Sequence, residues 1–541
     1  MQTLSKLIKL QNCSILFLLF FLISCGSLKQ PKEIQQPINY SDHEIVEIEV
    51  KRINSMIESE PVRALWRSVL LGKQDIIDRT RTNVELLFKS AIEEKDYYEA
   101  KKYYTSLAAI GWSDSDYNRK IIDELSAKDI PGLGKNDLAP KSISECMNAT
   151  VTIWVDRGVK VQNGAGYADV VLGSGFFIDE RGYIVTNHHV IDSMVDPKYE
   201  GYSRLYIKLL DDPDTKIPAK VVGYDSILDL ALLKTEITPK YVLNLGSSKE
   251  LQVGDKISAI GTPVGLEGTL TSGIISSTER KLFTLGNVFQ IDAAVNSGNS
   301  GGPLIDNNMK VQAIVFAGMP RYQGLNFAIP VEYLRQELNL MYSCGEVIHP
   351  WIGCFGHTKR QGKKKTGLEI QYVLPGGSAA MAGLVPGDII VSIDGNPINS
   401  IDDFQFLMMA YEPETMLECT YVNSDGKEQN KYIYLDRRPK NPGQVVCESD
   451  FVSNSFVPLF GMKLKASSTL NRNSYTIESV VKGSTADEMN FSEFDAVTVK
   501  DVKIDNDNEY IFAQIYARRR KKGFLDITMV LATQLDSPYY F

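Results

Sequence analysis

Apolar residues recur at helical spacing in the first quarter of the chain. Val46, Val50 and Ile53 would lie on one face of a helix, and the same 3.6-residue pattern continues to about Ala127. A face of this width needs a partner to cover it, so several such helices would pack together. We therefore predict an α-helical domain over residues 41–129.

From residue 141 onward the pattern changes to short apolar or alternating runs. Turn-forming Gly, Pro, Asn and Asp residues separate these runs, as is typical of consecutive β-strands. Residues 130–140, which contain two prolines and two glycines, would link the helical part to the strands. The pattern predicts an all-β domain over residues 141–345, built as a pair of closed antiparallel barrels.

The first residues of the chain predict export. Lys6 and Lys9 precede an apolar run over residues 15–23, which has the length of a signal peptide and is too short for a membrane span of about 20 residues. Residues 22–25 (LISC) then resemble a bacterial lipobox. We predict a lipoprotein signal peptide over residues 1–24.

On this interpretation Cys25 becomes the lipid-modified N-terminus, and residues 25–40 form a tether to the membrane. Gly26 and Ser27 carry no acidic retention signal for the inner membrane, which favours the periplasmic face of the outer membrane. An ordinary secretory signal followed by an incidental cysteine is the alternative.

Charge and cysteine usage exclude some classes of protein. A net charge of −9 over 541 residues argues against a nucleic-acid-binding protein. The cysteines show no short spacing of the kind that marks a zinc site, and we predict neither a metal nor an organic cofactor. In an exported protein one pair could form a disulfide, which the sequence does not choose. The cysteines beyond the signal peptide and tether are Cys146, Cys344, Cys354, Cys419 and Cys447.

One glycine-rich stretch carries the clearest chemistry. Residues 296–303 (NSGNSGGP) surround Ser300 with residues that allow an unusual backbone conformation. A serine hydroxyl becomes a nucleophile when a base accepts its proton and when backbone N–H groups stabilise the oxyanion it creates. A simple turn would explain the stretch if it stood alone. However, the pair His188–His189 and the acid Asp229 in an apolar run precede it, in the chain order of a chymotrypsin-type triad.

Six blocks in this order resemble the HtrA/Deg serine proteases. The resemblance covers residues 145–345 closely and extends to about residue 438. The blocks are residues 173–178 (GSGFFI), 186–190 (TNHHV), 229–233 (DLALL), 271–276 (TSGIIS), 298–303 (GNSGGP) and 324–330 (GLNFAIP).

The resemblance assigns catalytic roles to the matching positions. Ser300 would be the nucleophile, His189 the general base and Asp229 the residue that orients the imidazole. The N–H groups of Gly298 and Ser300, helped by Asn299, would form the oxyanion hole. The resemblance thus implies a Ser-His-Asp acyl-enzyme mechanism in the cleft between the two barrels.

The same comparison indicates an apolar specificity pocket. Ala294 stands six residues before the nucleophile, where trypsins that cleave after Lys or Arg have an aspartate. Phe316 and Leu325 flank the loop that borders this pocket in the family. We expect cleavage after apolar residues of modest size.

Two PDZ domains are expected after the protease domain. Over residues 350–438 the resemblance implies a PDZ domain whose groove takes a chain end as an added strand. A domain that only packs against the protease is the alternative. Residues 451–541 repeat the pattern in divergent form, without equivalents of Gly383 and Gly387. The residues expected to bind the peptide are Trp351, Ile352, Gly353, Cys354 and Phe355.

Taken together, the HtrA/Deg resemblance and the lipobox-like residues 22–25 imply a membrane-tethered serine endopeptidase of the bacterial cell envelope. It would cleave unfolded or damaged proteins as part of protein quality control and bind peptide C-termini at its PDZ domain. Because the family assembles through its protease domains, we predict a homotrimer. Two alternatives remain: a chaperone or peptide-binding adaptor on an inactive protease scaffold, and a dedicated processing protease with a narrow target.

Overall fold

A computed structural model describes most of the chain. The predicted signal peptide and Cys25 lie outside the described residues, and those predictions stay as they were. The described residues are 31, 33–35, 43–134, 136–162, 164–262, 268–282, 284–296, 298–318, 325–467, 473–519 and 525–541.

The N-terminal region is helical, as predicted. Its core is built from the apolar helix faces, with the large side chains of Trp66, Phe88 and Tyr104 buried in it. Asp96 and Asn118 begin two of the helices by accepting a hydrogen bond from the N–H three residues later. The helices are α1 His43–Met56, α2 Pro61–Leu71, α3 Gln74–Glu94, α4 Tyr97–Ala109 and α5 Arg119–Ala127.

The first β-barrel follows the short helix α6, Ile143–Asn148. Six antiparallel strands close in the order β1-β2-β3-β6-β5-β4, and their inward-facing aliphatic side chains fill the interior. Helix α7, His188–Val195, begins directly after β3. The strands are β1 Thr150–Gln162, β2 Ala165–Asp179, β3 Tyr183–Thr186, β4 Arg204–Leu209, β5 Asp212–Asp225 and β6 Leu230–Thr235.

The second barrel closes in the order β10-β11-β12-β9-β8-β7. A short 3₁₀ turn, Ser248–Glu250, precedes it, and helix α8, Val331–Cys344, follows it and packs back on both barrels. The predicted pair of closed antiparallel barrels is therefore confirmed. The strands are β7 Lys256–Gly261, β8 Thr269–Arg280, β9 Val288–Ile291, β10 Pro303–Ile305, β11 Val311–Gly318 and β12 Asn326–Pro330.

The next domain is a sheet with two helices. Strands run in the order β14-β15-β16-β18-β19, with β17 beside β16, while β13 pairs with β20. The elements are β13 Pro350–Trp351, β14 Cys354–Gln361, β15 Lys364–Val373, α9 Ser378–Ala382, β16 Ile389–Ile393, β17 Asn396–Pro397, α10 Ile401–Met408, β18 Met416–Val422, β19 Glu428–Tyr434 and β20 Asp436–Arg437.

The last domain has a five-stranded antiparallel sheet in sequence order, β21 to β25. Its core is continuous with Trp351 and Phe355 of the preceding domain. The elements are α11 Pro442–Ser449, α12 Val452–Phe460, β21 Met462–Ala466, β22 Ser474–Val480, α13 Thr485–Glu488, β23 Ala496–Asp505, β24 Tyr510–Arg519 and β25 Leu525–Gln534.

The helical region docks on the first of these two C-terminal domains. Trp66 stacks on Tyr434 with 5.6 Å between ring centroids, and its indole N–H donates to the carbonyl of Tyr432. Lys101 Nζ lies 3.4 Å from the buried carboxylate of Glu412. The helices therefore extend the outer face of that domain instead of standing apart on a linker.

Two further features concern the helices and the cysteines of the described residues. None of their helices is long and apolar enough to cross a bilayer. The five cysteines that follow the predicted tether are all free thiols in this structure, and Cys146, Cys354 and Cys419 are buried.

Candidate active site

An imidazole and a carboxylate meet at the open end of the first barrel. His189 lies in the first turn of α7, and Asp229 lies in the turn that leads into β6. His189 Nδ1 is 2.7 Å from Asp229 Oδ2, and the backbone N–H of His189 donates to Asp229 Oδ1 at 2.8 Å. The two bonds fix the ring and leave Nε2 as the nitrogen available to a substrate.

Asp229 reaches this position through a left-handed backbone conformation, with φ of +57°. Non-glycine residues adopt that region only when neighbouring contacts hold them there. The side-chain amide of Asn187 supplies one such contact by donating to the carbonyl of Asp229 at 2.8 Å. The turn therefore presents the carboxylate to the imidazole at the cost of local backbone strain.

The charge of Asp229 sets the basicity of His189. Desolvation by the surrounding protein lowers the pKa of the imidazole, but the Asp229 carboxylate raises it by more through its charge and its hydrogen bond. The pKa of His189 is therefore raised above its usual 6.5. At a pH above its pKa the imidazole is neutral, and a raised pKa then makes it a stronger proton acceptor.

Ser300 comes from the second barrel, in the loop between β9 and β10. Its carbonyl accepts a hydrogen bond from the N–H of Ser174 in the first barrel, at 2.8 Å. The Ser174 hydroxyl also donates to the carbonyl of Gly298, at 2.6 Å. These contacts join the serine loop to the barrel that carries the histidine and the acid.

The hydroxyl of Ser300 donates to the carbonyl of Phe316, at 3.2 Å. Among the residues that the structure describes, no hydrogen bond joins this hydroxyl to His189. In this structure the Ser300 side chain is therefore in a rotamer that points to Phe316 and is not hydrogen-bonded to His189.

The backbone around Ser300 depends on glycine. Gly298 and Gly301 have φ values of +102° and +86°. A Cβ at Gly301 would clash with the carbonyl oxygen of Ser174, so the loop could not sit against the first barrel with any larger residue there. Within the described part of the chain, the N–H groups of Gly298 and Ser300 have no recorded acceptor, which suits an oxyanion hole.

Asn299 lies between Gly298 and Ser300, and both its backbone and its side chain have close contacts. Its backbone N–H donates to the carbonyl of Asn296 at 3.0 Å, and its side chain is buried against Gly261. These contacts fix the turn directly before Ser300. The contribution of Asn299 to an oxyanion hole stays a prediction.

Four segments of the chain match known domain families. Residues 173–314 match the trypsin-like peptidase domain model. The chain contains a trypsin-like peptidase domain. Two PDZ domains follow it: residues 369–417 match a PDZ domain model, and residues 443–535 match the TP0546 family PDZ domain. The helical residues 44–127 match a domain of unknown function.

Curated relatives carry the names of endoproteases. Over 285 residues the chain is 38% identical to the "Probable periplasmic serine endoprotease DegP-like" of Bartonella henselae, covering 50% of this chain and 54% of that relative. It is 36% identical over 285 residues to the protein of the same name from Hahella chejuensis, covering 50% and 58%. The chain thus spans little more than half the length of these relatives.

One solved structure shows the extent of the similarity. The HtrA-type protease AlgW with a tripeptide aligns at 28% identity and a TM-score of 0.47, over 55% of this chain and 96% of that chain.

The predicted specificity residues differ in exposure and contacts. Phe316, whose carbonyl accepts from Ser300, is half-buried and packs against Phe327 at 6.4 Å between ring centroids. Ala294 is exposed, and its carbonyl accepts from the Thr271 hydroxyl. Leu325 is half-buried at the end of the bordering loop. Their role in selecting substrate side chains stays a prediction, since residues 319–324 lie outside the described part of the chain.

The predicted peptide-binding residues form one edge of the first PDZ domain. Gly353 turns the chain with φ of +80°, and Ile352 and Cys354 are buried in the domain core. Trp351 and Phe355 face the other way, into the core shared with the second PDZ domain. The structure brings these five residues together at the start of edge strand β14.

The sequence analysis did not identify a buried polar cluster close to Asp229. Asp225, Glu337 and His349 are fully or almost fully buried, and their polar atoms lie within 4.8 Å of one another. His349 Nε2 is 2.8 Å from Asp225 Oδ2. The three residues are too far apart in the chain for any spacing rule to connect them.

The cluster links the first PDZ domain to the turn that carries the triad acid. Asp225 Oδ1 accepts from the N–H groups of Ile227 and Leu228, at 2.7 and 3.0 Å. His349 lies directly before β13, so one side chain connects the PDZ domain to this turn. Desolvation by burial alone would raise the pKa of Asp225, but His349 holds it well below its usual range. Burial and then the Asp225 charge raise the pKa of Glu337 well above its usual range.

Proposed function

We propose that this chain is a serine endopeptidase of the HtrA/DegP type that cleaves unfolded or damaged proteins in the bacterial cell envelope. The observation that carries the proposal is the His189–Asp229 pair, 2.7 Å apart, beside a serine held by glycines at the junction of two barrels. The names of the periplasmic relatives support the compartment and the reaction class.

In the proposed reaction the Ser300 hydroxyl first rotates from the Phe316 carbonyl towards His189. Nε2 of His189 accepts the hydroxyl proton while Oγ attacks the peptide carbonyl carbon. The N–H groups of Gly298 and Ser300 stabilise the negative oxygen of the tetrahedral intermediate. The imidazolium, stabilised by Asp229, then protonates the leaving amine, and a water molecule hydrolyses the acyl-enzyme by the reverse sequence.

The hydrogen bond from Ser300 to Phe316 favours a second candidate. A protein that only holds unfolded chains, as a chaperone or adaptor, would need no pairing between this serine and His189. A processing protease with one narrow target would share all the catalytic geometry, and only its cleavage sites would distinguish it.

Incubation of residues 26–541 with unfolded casein tests the proposal. We expect the parent to release peptides and Ser300→Ala to release none. The control Ser272→Ala changes an exposed serine of the same domain and should retain the parent rate. Absence of cleavage by the parent, with and without added peptide ligands, would favour the chaperone or adaptor. Sequencing of the products reports whether apolar residues precede the cleaved bonds and how many targets are accepted.

The proposal includes tethering and assembly. Lipid modification of Cys25 would hold the enzyme at the periplasmic face of the outer membrane, where exported proteins unfold or arrive misfolded. We further propose a homotrimer built through the peptidase domains, which light scattering of the soluble form checks by its mass. We also propose that peptide chain ends bind beside β14 in the first PDZ domain.

A further inference from the structure

The peptide groove of the first PDZ domain is already filled by this chain itself. Residues 539–541, the last three of the sequence, run antiparallel beside the start of β14. Cys354 and Phe541 exchange both backbone hydrogen bonds, at 2.8 and 2.9 Å, and the N–H of Gly356 donates to the carbonyl of Tyr539 at 3.1 Å. The segment therefore occupies the position of an added strand, which is how such grooves take extended peptides.

The side chains of this segment fill the groove as well as its backbone does. Phe541 is buried between the sheet and α10, with its ring centroid 5.1 Å from that of Phe404. Tyr539 stacks on His357, with ring centroids 4.0 Å apart. Because side chains alternate along a strand, Tyr540 points the opposite way and packs against Phe355 in the core of the second PDZ domain.

One polar side chain connects this groove to the peptidase domain. Gln405, on α10, donates to the carbonyl of Pro538 at 2.7 Å and to the carbonyl of Thr284 at 3.3 Å. Its amide oxygen accepts from the N–H of Gly286, also at 3.3 Å. The residues around 284–286 lead into β9 and then into the loop that carries Ser300, so the occupied groove contacts the peptidase domain through Gln405.

We propose that residues 538–541 are an internal ligand that closes the groove of the first PDZ domain. The external partner it fits is an extended peptide with the same chemistry: an aromatic side chain, a tyrosine, and a phenylalanine that enters the pocket beside Phe404. This inference rests on the proposed peptide-binding role of that domain and adds its ligand class and its control. Such a peptide gains access only by displacing the internal strand.

Competition from the internal strand should weaken the affinity of an external peptide by a measurable factor. A segment joined to its own site acts at an effective concentration of about 1 mM, so an internal strand with an intrinsic Kd of about 10–100 µM weakens the binding of an external peptide by roughly 10- to 100-fold. Replacement of Phe541 by alanine removes the side chain that fills the pocket. We expect the labelled external peptide to bind this variant at least about tenfold more tightly than the parent.

The experiment uses full-length protein carrying Ser300→Ala, so that peptide binding is measured without cleavage. The probe is a fluorescent peptide with the sequence of residues 536–541 (DSPYYF), followed by anisotropy. The matched control peptide has alanine in place of its final phenylalanine. Phe541→Ala is compared with Phe451→Ala, which changes a partly exposed phenylalanine of the second PDZ domain outside this groove.

A second measurement does not depend on the folding of the Phe541→Ala variant. It is amide hydrogen exchange of the Ser300→Ala protein that retains Phe541, with and without the peptide. Saturating peptide should speed exchange in the backbone of residues 539–541 while Cys354 and Gly356 stay protected by the incoming strand. Equal affinity of parent and Phe541→Ala, unchanged exchange at saturation, or failure of the peptide to bind either protein would each overturn the proposal. Because all arms carry Ser300→Ala, this outcome is independent of the casein result.

Discussion

Removal of the His349 imidazole tests the link between the first PDZ domain and the triad turn. In His349→Ala, the fully buried carboxylate of Asp225 loses its 2.8 Å partner, and a buried cavity replaces the imidazole, which is only 4% exposed. A hydrogen bond to a charged group contributes about 1.5–3 kcal/mol, and the deleted ring adds a cavity term. We expect a loss of about 3 kcal/mol in the free energy of unfolding at pH 7.

For a domain of roughly 200 residues, a loss of this size lowers the melting temperature by about 6–12 °C. The measurement is thermal unfolding followed by near-ultraviolet circular dichroism, with His43→Ala as control. His43 is exposed and forms a surface ion pair with Glu47, so its replacement should change stability by less than about 0.5 kcal/mol. A melting temperature of His349→Ala within 2 °C of the parent would refute the reasoning.

The deficit should also depend on pH, with a definite sign. In the parent, His349 keeps the pKa of Asp225 below that of an unfolded aspartate, which is about 3.9. A lowered carboxyl pKa contributes stability that is present above the unfolded pKa and is lost as pH falls through the folded pKa. The difference between parent and His349→Ala should therefore be largest above pH 4 and shrink in more acidic solution. A difference that grows on acidification would contradict the assigned pairing.

Two further predictions concern the active site. Because Asp229 raises the pKa of His189, kcat/KM should fall as the pH drops through a value above 6.5. Asp229→Asn should shift this fall in kcat/KM to lower pH and lower the maximal kcat/KM. A rate that is constant from pH 8 to 5 would exclude His189 as the base. Gly301→Ala places a Cβ against the Ser174 carbonyl at a φ of +86°. We therefore expect at least about a tenfold loss of kcat/KM together with a lower melting temperature. The control Gly426→Ala, at a φ of +76° with open space around it, should leave activity unchanged. Activity of Gly301→Ala equal to that of Gly426→Ala would show that the loop tolerates the displacement.

Local patterns were sufficient for the elements and for the two-barrel fold. Strand alternation and turn residues predicted the barrels, and helical spacing predicted the N-terminal helices, because both patterns record which side chains must leave water. Short motifs also pointed to His189, Asp229 and Ser300 as candidates, because the chemistry of a nucleophile and its base requires particular residue types.

Contacts between distant segments were beyond the reach of the sequence. Asp225 and His349 are 124 residues apart and meet only because the chain returns from α8 to the edge of the first barrel. Nothing in the residue types of 539–541 distinguishes a strand added to a groove from any other buried segment, since the same aromatic residues suit both. The rotamer that joins Ser300 to Phe316 likewise follows from the packing of two barrels.

By itself, the amino-acid sequence determined the helical N-terminal region, the two barrels, the PDZ domains after them and the candidate triad, because hydrophobic period and motif chemistry are local properties. Only the tertiary structure decided that the helices dock on the first PDZ domain, that Asp225, Glu337 and His349 form one buried cluster, and that the chain fills its own peptide groove. Those outcomes depend on which apolar and polar surfaces lie side by side after folding, a property of the whole packed chain.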